Sequence, residues 1–87
     1  MNARIRYTLA ELGHENALLF EDPDFDECII GVTSDGQAIY DYDSLIDYLV
    51  EQGNTEDEAI DYVAYILEPR CNTAPNTPII MQNLRLE

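Results

Sequence analysis

Lysine is absent from this 87-residue chain, and the only basic residues are Arg4, Arg6, Arg70 and Arg85, set against 18 acidic residues. The resulting formal charge of −14 repels polyanions, so direct binding to nucleic acid or to an anionic membrane surface is not expected. Cysteine is scarce as well. Cys28 and Cys71 belong to no CxxC pair, which argues against a zinc site or a thioredoxin-like redox centre. Long hydrophobic runs are missing, so no membrane span is expected. The N-terminal "MNARIRYTLAELGHENALLF" has no apolar core of signal-peptide length followed by a small-residue cleavage site, and a reduced, cytoplasmic protein is the expectation. A glycine-rich phosphate loop is lacking. His14 is the only histidine, and no GxSxG-type nucleophile motif accompanies it.

What is present fits one small globular unit. Hydrophobic residues make up 46% of the chain and charged residues 25%, a balance typical of folded rather than disordered proteins. A chain of this length holds one domain with one modest core and is not expected to enclose a deep pocket.

The local patterns predict an α+β fold, a single domain over 1–87 whose residues 70–87 are mostly loop. Thr8 to Leu12 reads as a short first helix, with Thr8 as its cap and Gly13 as its stop. "ALLF" follows as a short extended or buried segment, and "EDPDFDE" reads as a solvated loop because its alternating acids have no apolar periodicity. Cys28 to Thr33 and Gln37 to Tyr40 read as two strands of a hairpin turned by Asp35-Gly36, with Cys28 a buried core thiol. Asp41 or Asp43 then caps an amphipathic helix that runs to about Gln52 and is stopped by Gly53. In "TEDE", Thr55 and Glu58 form a capping box. The helix it opens places Ala59, Ile60, Val63, Ile66 and Leu67 inward and stops before Pro69. Pro78 introduces a short edge strand at Ile79 to Met81. A lone hairpin with open edges makes a homodimer through an edge strand one expectation.

Candidate chemistry is sparse. Asp22, Asp24 and Asp26 match the first ligand positions of an EF-hand loop, but the obligatory glycine is Glu27 and the bidentate glutamate is Thr33, so no metal site is expected. His14 reads as an exposed polar residue at a helix end, and Ser34 and Ser44 as turn and helix-start residues. No catalytic residue, cofactor or enzymatic activity is expected; a weak hydrolase or loose divalent site is the remote alternative.

The helical acids are better ordered. Asp43, Asp47 and Glu51 recur every four residues and form a ridge of like charge opposite Leu45 and Leu49. Asp57, Glu58, Asp61 and Glu68 give the next helix a second acidic face that includes Tyr65. One reading is a solvated face that keeps the chain soluble. The other is a set of carboxylates that takes the place of phosphates on a basic surface, with Tyr48, Tyr62 and Tyr65 as docking aromatics. The same tyrosines suit a small aromatic core equally well.

The stretch "ALLFEDPDFDECIIGVTSDGQAIYDYDSLIDYLV", followed by "EDEAIDYVAY" and "PIIM", resembles a family of short acidic proteins of bacterial genomes and mobile elements, phage or prophage among them. The likeness is densest in "GVTSDGQAIYDYD" and departs from the family after Tyr65, at Ile66-Leu67-Glu68-Pro69-Arg70. It implies a fold and no activity. By analogy of size and charge with small phage inhibitors, the favoured expectation is a non-catalytic interaction protein of DNA-mimic, anti-defence or anti-CRISPR type. Its partner would be a basic nucleic-acid-binding protein or nuclease, met through Asp43, Asp47, Glu51, Asp57, Asp61, Tyr65 and Glu68. The alternative is a housekeeping or antitoxin-like protein that binds through apolar contacts and is acidic only for solubility.

Overall fold

The computed structural model describes residues 3–20, 25–71, 73, 76–82 and 84. Helix α1 (Ala3–Glu11) is followed by a 3₁₀ turn (Asp26–Cys28), strands β1 (Ile29–Val32) and β2 (Ala38–Asp41), helices α2 (Tyr42–Glu51) and α3 (Glu56–Tyr62), and strand β3 (Ile79–Met81). The α+β class and the order helix, hairpin, helix, helix are as the sequence predicts.

β2 is the central strand of a three-stranded sheet, antiparallel to β1 and parallel to β3. The parallel pair follows from connectivity: residues 42–78 supply the long crossover that two parallel strands require. Pairing of Ile29 with Tyr40 but of Gly31 with Ile39 leaves Ile30 as an extra residue, a β-bulge in the outer strand. At the hairpin tip, Gly36 adopts φ +89°. Its N–H donates to the Thr33 carbonyl, and the left-handed residue that closes this short loop favours glycine. A Cβ there would also lie 3.2 Å from His14 Nδ1. His14 is therefore half-buried against the turn rather than exposed.

Helix ends follow local chemistry. Asp41 caps α2, its Oδ2 accepting from the Ser44 N–H and hydroxyl at 3.2 and 2.7 Å. Gly53 N–H donates to Val50 O and Asn54 N–H to Leu49 O, a Schellman closure of α2. α1 ends the same way, with Gly13 N–H on Ala10 O and His14 N–H on Leu9 O. The capping box at α3 is complete: Glu58 N–H donates to Thr55 Oγ1 and Thr55 N–H to Glu58 Oε1.

Further expectations need correction. α1 begins at Ala3, so Thr8 lies inside the helix and its hydroxyl donates to the Arg4 carbonyl rather than capping. "EDPDFDE" is not a solvated loop where it is described: Phe25 and Asp26 are buried, Asp26 completely. Residues 21–24 lie outside the described residues. Ile60 and Ile66 are exposed rather than inward. After Tyr62 the helix widens into a π turn over Val63–Leu67, with Glu68 N–H donating to Val63 O. That wider turn keeps Leu67 over Val63 and rotates Ile66 outward. Pro69 then removes a backbone donor, and the helix runs out in a 3₁₀ turn, Glu68–Arg70.

The core lies between β2 and the α2–α3 pair, built on Phe20, Phe25, Tyr40, Leu45, Leu49, Ala59, Val63 and Leu67. It is aromatic at its centre: Phe20 meets Phe25 and Tyr40, and Phe25 meets Tyr48 and Tyr62. The fully buried Tyr40 hydroxyl accepts the Phe20 N–H at 3.0 Å. Burial of this hydroxyl raises its pKa, against the lowering influence of that hydrogen bond.

Candidate functional site

Asp43, Asp47 and Glu51 all point outward from α2 while Leu45 and Leu49 are buried beneath it. The capping carboxylate of Asp41 fixes where the helix begins, and that in turn fixes the face on which the three acids fall. Along the helix axis the ridge spans about 12 Å.

Tertiary packing gives this ridge two concave flanks. On one side, Asp43 and Asp47 join Glu56 of α3 around a cleft of about 310 Å³ whose apolar lining is Tyr42, Ile46 and Ile60. On the other, Asp47 and Glu51 face Glu27 of the 3₁₀ turn across a cleft of about 170 Å³ that also exposes Ser44, Tyr48 and the edge of Cys28. Asp47 belongs to both clefts. Among the described residues, no basic side chain lines either one. The ridge is thus a shared wall between two acidic hollows, one with a greasy base.

Glu27 and Glu56 are members of this face that sequence reading missed. Glu56 appears only as a helix-start acid and Glu27 as part of a loop; each reaches the ridge through the packing of a separate element on α2.

The second acidic face does not join the first. Asp57, Glu58, Asp61, Glu68 and Tyr65 are exposed, but none of them lines the clefts beside α2. Glu58 is committed to its capping box. The tyrosines divide: Tyr48 and Tyr62 pack on Phe25 in the core, whereas Tyr65, carried outward by the π turn, is 74% exposed.

The negative field beside α2 reaches the core. Burial raises the Cys28 thiol to a pKa of about 12, with further contributions from Glu27, Asp41 and Asp47. Asp41 Oδ1 is buried with no hydrogen-bond partner among the described residues. Cys28 is therefore a neutral structural thiol, and Cys71, half-buried, is also raised by burial first and by Glu68 second.

Asp26 does not belong to an acidic loop. Its carboxylate receives Arg6 Nε at 2.7 Å and Arg6 Nη2 at 3.2 Å, a bidentate pair that ties α1 to the 3₁₀ turn. Of the EF-hand-like acids, Asp22 and Asp24 lie outside the described residues, and Asp26 is held by this pair. Among the described residues no group of three or more His, Cys, Asp or Glu side chains is placed to hold a metal ion, and no helix is long and apolar enough to cross a membrane. The chain matches no protein-family model, no curated protein and no solved structure.

Proposed function

We propose that this chain is a non-catalytic acidic interaction protein whose α2 face occupies a basic surface of a nucleic-acid-binding protein or nuclease, as a DNA-mimicking inhibitor of the anti-defence kind does. The observation that carries this reading is the pair of acidic clefts on either side of the Asp43–Asp47–Glu51 ridge, on which five carboxylates from three elements converge. Like charges four residues apart cost a helix about 0.2–0.5 kcal/mol per pair, and α2 carries two such pairs with no basic residue in its last turn. A face that opposes its own helix is better accounted for by a partner than by solubility, which scattered acids supply equally well. The apolar patch of Tyr42, Ile46 and Ile60 gives that partner a surface to bury once the charges have steered it in.

The test is affinity capture from a bacterial extract at low and high salt, using the wild-type chain and the D43N/D47N/E51N variant. A nucleic-acid-binding protein recovered at low salt, released by added DNA and lost with the triple variant is the expected result. A partner indifferent to salt, to DNA and to the triple variant refutes the α2 reading. It would favour instead an apolar contact through Tyr65 and Ile66, which the π turn exposes together.

A further inference from the structure

α1 and β1 carry a second surface with different chemistry. A groove of about 180 Å³ runs between them, lined by Ile5, Leu9 and Leu12 from the helix and Ile29, Ile30 and Val32 from the strand, with no charged side chain in its lining among the described residues. Leu12 is 59% exposed and Ile30 50%. Among the described residues, α1 contributes none to the main core cluster. It has nine residues, a length at which an isolated helix is marginal, and among its described side chains only Leu9 is buried; Arg6 supplies the pair with Asp26.

The charges on α1 are reversed relative to its own dipole. Arg4 stands in the first turn, which has no acid, and Glu11 closes the last turn, which has no base; both arrangements are unfavourable for the helix that carries them. Seven residues apart, Arg4 and Glu11 fall on one face, about 10 Å from each other along the axis, with exposed Tyr7 and Thr8 between them. Neither takes part in an ion pair among the described residues. A second α1 laid antiparallel on this face corrects every sign. Arg4 then meets Glu11 of the partner subunit and the negative end of its helix, and Glu11 meets the partner subunit's Arg4.

We propose that the α1–β1 face is a two-fold contact between two copies of this chain, with α1 packed antiparallel on its counterpart, Tyr7 and Thr8 near the axis, and Leu12 and Ile30 covered by the groove residues of the other copy. A second copy is the occupant that fits because the pattern is self-complementary under a two-fold axis. Among the described residues the groove also carries no carboxylate, so this face adds least to the repulsion between two chains of −14. The bulge at Ile30 interrupts the outer hydrogen-bonding row of β1, so the contact is made by side chains and helix ends rather than by extension of the sheet. No α1 residue lines either cleft beside α2, which makes this inference independent of the partner proposed above.

Sedimentation equilibrium over a concentration series tests it. The wild-type chain is expected to sediment as a dimer at the upper end of the series and R4E and E11R as monomers. An equimolar mixture of R4E and E11R, and the double exchange R4E/E11R, are expected to dimerise again. E11R is the discriminating variant, because it makes the chain less negative: general charge repulsion would tighten its association, whereas the specific pairing weakens it. Far-ultraviolet circular dichroism checks that each variant keeps its fold, which both single exchanges favour by correcting one end of α1. A wild-type monomer up to millimolar concentration, a dimer that both single variants retain, or single variants that fail to associate when mixed would overturn the proposal.

Discussion

Replacing either member of the Arg6–Asp26 pair should unbalance the fold, and by unequal amounts. The Asp26 side chain has no exposed surface, while that of Arg6 keeps 35%. Removing one partner of a buried pair costs about 3–5 kcal/mol, mostly because the remaining charge stays desolvated. In D26N the surviving guanidinium can turn to water, which places the loss at or just below the low end of that range, about 2–3 kcal/mol. R6M keeps the apolar stem but takes the bidentate guanidinium from a fully enclosed carboxylate, which places the loss at about 4–5 kcal/mol. A domain of this size has roughly 4–13 kcal/mol to lose, so R6M approaches complete unfolding at room temperature. At about 4–8 °C per kcal/mol, D26N should melt roughly 10–20 °C below wild type. Urea titration followed at 222 nm measures both variants, and the double variant R6M/D26L, with no charge left to solvate, should recover much of the R6M loss. If D26N proves as harmful as R6M, or if both lose less than about 1 kcal/mol as an exposed pair would, the account of Asp26 as a desolvated anchor for α1 is wrong.

Loss of the Thr55 hydroxyl in T55A removes the acceptor for Glu58 N–H and should cost about 1 kcal/mol in the same titration, with little change in slope; no measurable loss would mean that the α3 start is held by packing alone. Cys28 makes the protein alkali-sensitive. Its folded pKa of about 12 exceeds the ordinary value of 9.0, so the unfolded chain releases a proton more readily; its contribution is intact below pH 9 and declines as pH rises from 9 towards about 12. C28A should unfold with a shallower dependence on pH across that window, and an identical slope would assign the alkaline loss to other groups. Under native conditions at pH 8, a thiol reagent should modify Cys71 before Cys28, which is 2% exposed; equal rates would mean that the α2 base opens readily.

Much of the fold is written in short-range chemistry. Asp35-Gly36 fixes the hairpin, Gly53 stops α2, the Thr55–Glu58 box starts α3, and Pro78 precedes β3; each acts over a few residues through dihedral preference or a local hydrogen bond, and each is legible in the sequence. The acidic ridge is legible for the same reason, since four-residue spacing on a helix whose start is capped puts Asp43, Asp47 and Glu51 on one side. The readings that failed depended on distance along the chain. Asp26 looks like one more solvated acid until Arg6, twenty residues earlier, is brought to it. Ile66 looks like core until the π turn changes the helical period beyond Tyr62, and Ile60 looks like core until the packing of α3 on α2 leaves it at the rim of a cleft.

Tyr48, Tyr62 and Tyr65 are alike in the sequence, yet two pack against Phe25 and the third faces solvent. The same division runs through the site. The sequence determined that α2 carries a charged edge. That Glu56 and Glu27 converge on this edge, that Tyr42, Ile46 and Ile60 give one cleft an apolar base, and that the α3 acids stay apart were decided by how separate elements pack, because convergence of side chains from different elements has no counterpart in local spacing.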